Sequence, residues 1–440
     1  TSDMVLEKMR YVNKNYGITV VIVTHDPKIE DHVNRSIGMR DGKVVKEVLK
    51  LNSWPVFSED EIQKVSEILS SGKVNYWTGL EGNKFESEFA KYSDSKYGIV
   101  MANGSLALTA AYKSIGLSKE DEIITTPRTF IATSSSAVIV GAKPVFADVD
   151  LNSGCITPDK IEPLISPKTR AISVVHIGGW PAEMERICAL AKSYNLFLIE
   201  DCSQAHGAKI KSKSSWKSVG SFGDAATWSF CQDKIMTTGG EGGVVTTSNS
   251  SIRDICWSLK DHGKNQNVIN IVPKTREFRY IHDYIGTNMR LTEFQASIGR
   301  VQLKLISKWN KLRARNAKIL FDSLKDFSSL RIPYPKDNIT HAWYRFYTYV
   351  DKNKLKFGWD RDRLIYEINK KGVPAFTGSC SEIYLEKCLR NYGQTPTKRL
   401  KIAKNLGETS LCFLVHPNID HIQINYCAEV IGDVFRKASK

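Results

Sequence analysis

Residues 200–207 read EDCSQAHG and residues 220–243 read GSFGDAATWSFCQDKIMTTGGEGG, with a basic segment, AKIKSKSSWKSVG, joining them at 208–220. The apolar run LFLIED (196–201) predicts a strand that ends on an acid, Asp201. An amide, Gln204, follows it; a second apolar strand then supplies a hydroxyl, Ser229, and the turn beyond it an amine, Lys234. The glycine cluster at 239–243 permits a close turn after that lysine. A carboxylate, an amide, a hydroxyl and an amine are thus delivered to the carboxyl ends of neighbouring strands.

Upstream, strand and helix patterns alternate without interruption from YGIVMAN (97–103) through KPVFADVD (143–150) and AISVVHIGG (171–179) to LFLIED. Continuous apolar strands separated by amphipathic helices predict an α/β domain whose mostly parallel sheet is covered on both faces. Ligands of such sheets sit where the strands' carboxyl ends meet the loops. Three further candidates fall there. Asn103-Gly104-Ser105 closes a strand and opens a helix, an arrangement that aims backbone N–H groups and the Ser105 hydroxyl at a phosphate, although the same residues also make an ordinary N-cap. Phe130, just past another strand end, offers a face for stacking on a planar ring, or a core contact.

The chemistry of this set is that of pyridoxal phosphate. A carboxylate at the end of a dry strand needs a cationic or hydrogen-bonding partner, and a pyridinium N–H is one; with its ring nitrogen kept protonated by Asp201, the cofactor becomes an electron sink. Gln204 is placed to donate to the ring oxygen, and His206 to shape the pocket. Lys234 must lose a proton to attack an aldehyde, which burial beside a cofactor favours by lowering its pKa. Once freed, the amine can carry a proton at the substrate carbon.

Composition sets the outer bounds. The chain has 440 residues, 42% hydrophobic and 25% charged, enough for more than one domain. Its longest apolar runs fall short of the roughly 20 residues that cross a bilayer, so no membrane span is expected. A formal charge of +15 is spread along the chain without a nucleic-acid-binding signature; a solvated basic surface is the plain reading, and attraction of a phosphorylated substrate the next. Nine scattered cysteines form no C-x-x-C pair, which argues against a disulfide framework or a zinc site. The start, TSDMVLEKMR, carries no secretory signal pattern, and a cytoplasmic protein is expected.

The first fifty residues have a different character. SDMVLEKMRYVNKNYG (2–17) is an amphipathic helix ending at Gly17, ITVVIVTH (18–25) a buried strand, DPKIEDHVNRS (26–36) a short helix, and IGMRDGKVV (37–45) a hairpin turning on Asp41-Gly42. With His25 at the strand end, this order resembles the tail of an ABC-transporter ATPase domain over residues 1–47. No G-x-x-x-x-G-K-[ST] loop exists in the chain to hold a triphosphate, so His25 is read as a structural residue. After a boundary near residue 50, Ser58 and Glu61 make a capping box for a helix that stops at Gly72, and Asn83 to Tyr92 reads as a second helix. Between them NYWTG (75–79), with Thr78, is either a substrate-contacting lip or a packed turn.

NYWTG, NGSLAL (103–108), TFIAT (129–133), HIGGWPAEM (176–184), EDCSQAHGA, GSFGDAATWSFCQDKIMTTGGEGG, DHGKN (261–265), GTNMRLTEFQASIGRVQL (286–303) and FLVHP (413–417) together resemble the DegT/DnrJ/EryC1/StrS group of PLP-dependent nucleotide-sugar aminotransferases. The resemblance covers about residues 52–440. It implies the aspartate-aminotransferase-like fold (type I): a PLP-binding large domain over 51–305 and a smaller α+β C-terminal domain over 306–440, preceded by the fragment 1–50. It also implies that Lys234 forms the internal aldimine, Asp201 holds the ring nitrogen, Gln204 contacts the ring hydroxyl oxygen, Gly104, Ser105 and Ser229 bind the phosphate, and Phe130 stacks on the ring. Asn288 would reach the phosphate of the neighbouring subunit, with Arg290 near it, making a homodimer with shared sites. Thr78, His206 and Arg290 are candidates for substrate contact.

The implied reaction moves an amino group from L-glutamate to a nucleotide-linked keto-sugar, with C4 favoured over C3, in surface-polysaccharide or deoxysugar synthesis. Family members that act as dehydratases or regulators carry histidine where Lys234 stands, so lysine argues for transamination. A PLP-fold dehydratase or sensor, and an ABC-type nucleotide-binding module built on the prefix, are the competing classes. The segment 208–220 is longer and more basic than the family pattern. Beyond the site, TEFQASIGRVQLKLISKWNKLRARNAKILFDSL (292–324) predicts a long linking helix, HAWYRFYTYVD (341–351) and the region of FLVHP predict strands, and GVPAFTGSCSEIY (372–384) is a site-lining loop or a connector.

Overall fold

A computed structural model describes residues 2–24, 26, 29, 32–40, 43–212, 214–269, 271, 281–392 and 394–440, with the backbone alone at 2–3, 40 and 43–48. At its centre is a seven-stranded sheet in the spatial order Tyr97–Met101, Gly243–Thr247, Ala225–Ser229, Phe197–Asp201, Thr169–Val175, Glu122–Thr125, Lys143–Phe146. Gly243–Thr247 is antiparallel to both of its neighbours, while the other pairings are parallel. The expected mostly parallel sheet is therefore present. Each strand is apolar on both faces because helices cover both sides; Ile99, Ile124, Ile172, Val174, Ile199, Ala226 and Val245 are all buried.

Local signals in the sequence set the helix ends. Ser58 caps Glu59–Ser71 in a reciprocal box with Glu61, and Gly72 ends it at φ 68°, a conformation that costs glycine nothing. The second helix, Glu81–Tyr92, buries Phe85 and Phe89. Thr292 and Gln295 make another box at the start of Glu293–Leu324, a helix about 48 Å long. The proposed boundary at 305/306 falls inside this continuous helix, which carries the chain from one unit into the other. The C-terminal unit packs that helix and His421–Ala438 against a sheet that includes Phe346–Val350 and Ser410–Phe413, around Leu320, Phe346, Leu411, Ile424 and Phe435.

Three expectations need correction or restriction. The basic segment 208–220, read from the sequence as a loop, contains strands Lys209–Ser212 and Ser215–Ser218, an antiparallel pair whose first strand is joined by Ile339–Thr340; the sequence between them lacks the Asn-Gly signal that announces a hairpin. In the prefix, Ser2–Tyr16 is helical and a hairpin forms as predicted, but it is longer than 37–45: Arg35–Arg40 pairs with Lys43–Leu49, so Arg35 and Ser36, expected at the end of a helix, open the strand instead. Residues 18–24, however, form no strand, and Val21 and Val23 are 82% and 97% exposed; among the described residues no strand pairs with this segment. His25, the turn Asp41-Gly42 and much of the predicted helix at 26–36 lie outside the described residues. Among the described residues no helix is long and apolar enough to cross a membrane.

Candidate active site

The register of the sheet brings the candidates together. Asp201 pairs with Val175, the end of its own strand, on one side and with Thr227 on the other, and Ser229 lies two residues beyond, opposite Gly243. Asp201 is 5% exposed. Its Oδ2 accepts a hydrogen bond from Thr133 Oγ1 at 2.8 Å and its Oδ1 one from Ser203 N at 3.1 Å. Each carboxylate oxygen keeps acceptor capacity beyond these bonds.

Glu200, the residue before it, is fully buried and was not singled out in the sequence. It accepts from the backbone of Gly220 (2.8 Å), Phe222 (2.8 Å) and Gly223 (2.7 Å) and pairs with His176 Nε2 at 3.1 Å. Burial works against its charge, yet the His176 bond and the backbone N–H groups hold its carboxyl below the usual range. This hub ties the strand end to the loop that leads into Ala225–Ser229, and so fixes where Asp201 and Ser229 point.

Ser229 faces the start of helix Gly104–Ser114. Asn103 caps that helix by accepting from Leu106 N at 2.9 Å, leaving the N–H groups of Gly104 and Ser105 in the unsatisfied first turn. A Cβ placed on Gly104 would meet Ser229 Cβ at 2.7 Å, and one on Gly243 would meet the Asn103 carbonyl carbon at 2.5 Å. Only glycine lets the helix terminus come this close to the strand. The resulting cradle of a helix N-terminus and a serine hydroxyl suits a phosphate.

Lys234 opens on a cavity of about 710 Å³ whose wall also holds Phe130, Gln204, Tyr344 and Arg345. Gln204 is 7% exposed, and its Oε1 accepts from Gly178 N at 2.7 Å, which leaves the NH2 as the group free to donate. Phe130 is 69% exposed, its ring uncovered on the cavity side. Segment 372–384 contributes Phe376, Gly378, Ser379, Cys380 and Ile383, so it lines the site. The Lys234 side chain is 17% exposed, with Nζ 3.2 Å from Asp233 Oδ1, and its carbonyl accepts from Trp54 Nε1 at 2.8 Å. Burial acts to lower its pKa, as expected, but Tyr344 and Asp233 outweigh burial and the amine lies above its ordinary value. Sequence alone did not place those two groups against the amine.

These residues fit pyridoxal phosphate: a phosphate cradle at Gly104, Ser105 and Ser229, a carboxylate with spare acceptor capacity at Asp201, and a donor at Gln204, an aromatic ring at Phe130 and the Lys234 amine on one cavity. Four other candidates stand elsewhere. Thr78, Asn288 and Arg290 gather around Asp261, which is 1% exposed: Trp77 Nε1 donates to it at 2.6 Å, Arg290 pairs with it, and Asn288 meets it in a backbone bridge. Thr78 N closes the adjoining turn on Asn75 O at 2.9 Å. His206 is fully buried among Phe89, Trp228 and Phe230.

His206, His341 and His416 are all buried, and burial pushes each imidazole from 6.5 down to about 3. With folded values below the unfolded one, the unfolded chain binds protons first: the stability these groups contribute is complete above 6.5 and drains away as pH falls toward 3. Each is worth up to about 1.4 kcal/mol per pH unit in that window. The thermal midpoint is expected to drop clearly between about pH 7.5 and pH 5.5; a flat midpoint would mean that the imidazoles titrate normally.

Comparison with known proteins agrees with this geometry. The profile of the DegT/DnrJ/EryC1/StrS aminotransferase family matches residues 55–432. GDP-perosamine synthase of Escherichia coli O157:H7 is 31% identical, over 87% of this chain and 98% of its own length. A UDP-N-acetyl-3-dehydro-alpha-D-glucosamine 3-aminotransferase of Acidithiobacillus ferrooxidans is 32% identical, over 83% and 93%. Among solved structures, the aminotransferase from Psychrobacter cryohalolentis superposes with a TM-score of 0.85 at 47% identity, covering 88% of this chain and 99% of that one.

Proposed function

Because the chain belongs to the DegT/DnrJ/EryC1/StrS aminotransferase family, we propose that it is a PLP-dependent enzyme that moves an amino group from L-glutamate to the keto carbon of a nucleotide-linked sugar. The observation that carries this reading is the Lys234 amine opening on one cavity with Gln204 and Phe130. The nucleotide-sugar class rests on the names of the relatives, one a GDP-sugar synthase and one acting on a UDP-sugar. A 4-keto carbon remains the favoured acceptor, with surface-polysaccharide or deoxysugar synthesis in the cytoplasm as the setting.

Pyridoxal phosphate, when bound, supplies an aldehyde carbon for an amine and a ring that accepts the electron pair released at the substrate carbon. Asp201 holds a proton on the ring nitrogen side, Gln204 donates to the ring oxygen, and Gly104, Ser105 and Ser229 anchor the phosphate. Lys234 Nζ is the amine that bonds the cofactor and, when free, the base that moves a proton at the substrate carbon. Tyr344, Phe376 and residues 378–380 line one side of the cavity. Asn288 and Arg290, gathered away from Lys234 of their own chain, are assigned to the site of a second copy in a homodimer.

The reading is tested with the cofactor-loaded enzyme. Glutamate alone is expected to bleach the visible absorbance of the lysine-bound cofactor and release stoichiometric 2-oxoglutarate, and a panel of GDP-, UDP- and dTDP-linked 3-keto and 4-keto sugars then identifies the acceptor. Absorbance unmoved by glutamate would sink the aminotransferase reading, and turnover confined to 3-keto sugars would sink the choice of C4.

A further inference from the structure

Asp233 precedes Lys234 in the turn after Ala225–Ser229, and both side chains reach the cavity wall. Asp233 Oδ1 lies 3.2 Å from Lys234 Nζ. Its other oxygen accepts a hydrogen bond from the Tyr344 phenol, and Arg345 Nη2 stands 3.8 Å from that oxygen. Lys234 Nζ is also 5.2 Å from the centroid of the Tyr344 ring. The same carboxylate is thus gripped from the C-terminal unit and turned toward the lysine of the large unit.

The groups that face the amine come from four directions. Asp233 and Cys231 belong to its own turn, and Glu241 reaches that turn through Cys231 Sγ at 3.7 Å. Tyr344 and Arg345 lie on the C-terminal side, and the buried His206 lies close enough for the lysine's charge to help keep it neutral. Among the described residues it is Asp233 that supplies an ion pair to Lys234.

We propose that Asp233, oriented by Tyr344, is a positioning residue that docks the Lys234 ammonium whenever that amine is not bonded to the cofactor, and so governs how readily the amine becomes reactive. The inference rests on the assignment of Lys234 as the cofactor-bonding amine. Burial alone would drive a lysine to shed its proton, leaving the free amine without a fixed resting place. A carboxylate at hydrogen-bonding distance gives the ammonium a defined position at the cavity wall, from which it returns without searching. Tyr344 makes the dock directional, because its O–H occupies the second oxygen and turns the first toward Nζ.

The full chain, freed of cofactor with a carbonyl reagent, is trace-labelled with acetic anhydride between about pH 7 and pH 11, and the Lys234 peptide is followed by mass spectrometry, since only the unprotonated amine reacts. Asp233→Asn keeps the shape of the side chain and removes its charge. In that variant the Lys234 midpoint is expected about one pH unit lower, so that labelling near pH 8 rises about tenfold. Asp233→Glu should restore most of the wild-type midpoint, and the exposed lysines should not change. A second arm adds pyridoxal phosphate and traps it with borohydride. Trapping at Lys234 with an unshifted Asp233→Asn midpoint overturns this inference alone, whereas a wild-type chain that never traps cofactor at Lys234 overturns the proposed function and this inference with it.

Discussion

Lys234→Ala is expected to leave a folded chain that binds pyridoxal phosphate without a covalent bond and turns over at least about 10⁴-fold more slowly. The residue has two duties, bonding the cofactor and moving a proton at the substrate carbon, and general acid–base catalysis alone is worth roughly 10²–10⁴-fold. Removing the side chain should cost the fold little: it is 17% exposed at a cavity wall, and the Trp54 bond goes to its backbone carbonyl, which alanine retains. Single-turnover release of 2-oxoglutarate from glutamate, read beside a thermal melt, separates chemistry from folding. Wild-type turnover in this variant would mean that another amine does the work.

The second large effect is expected at Asp201. Replacing it with Asn preserves its size and keeps one oxygen for the two donors, Thr133 Oγ1 and Ser203 N, that now bond separate carboxylate oxygens, but removes the negative charge that holds a proton on the ring. Removing a preorganised electrostatic partner from a dry site costs about 10²–10³-fold in kcat, while cofactor retention through the Gly104 and Ser229 cradle should change far less. Spectrophotometric titration of the cofactor together with kcat for glutamate checks both halves. An Asp201→Asn enzyme with undiminished kcat would place the ring nitrogen's partner elsewhere.

What could be read in advance follows from how far apart in sequence the cooperating groups lie. Asp201, Gln204, Ser229 and Lys234 fall within one strand–loop–strand–turn unit, so spacing alone grouped them, and the register sets Asp201 opposite Thr227, two residues before Ser229. Asp233 was in plain view beside the lysine, but its meaning depends on Tyr344, which meets it from 111 positions away through a packing of two units that no local pattern encodes. The burial of His206 was illegible for a related reason: the aromatic cluster around it comes from two separate segments, Phe89 and Trp228 with Phe230. The apolar run at 18–24 shows the opposite failure. A strand needs a neighbouring sheet as well as a composition, and this segment has the second without the first.

The hydrogen bond from Trp54 to the Lys234 carbonyl is one stitch in a short seam. Gln423 Nε2 donates to Lys50 O at 3.0 Å, Asn52 Nδ2 to Asn418 O at 2.9 Å, and Asn418 Nδ2 to Ser53 O at 2.8 Å. Residues 50–54 are therefore sewn to the turn before the last helix at one end and to the reactive lysine's main chain at the other. For anyone redesigning the molecule, this seam sets the cloning junction. A tag, a spacer or a different leader can replace the prefix upstream of Lys50 with every stitch intact, whereas a junction placed at the family profile's first matched residue, Pro55, removes Trp54 and the seam with it.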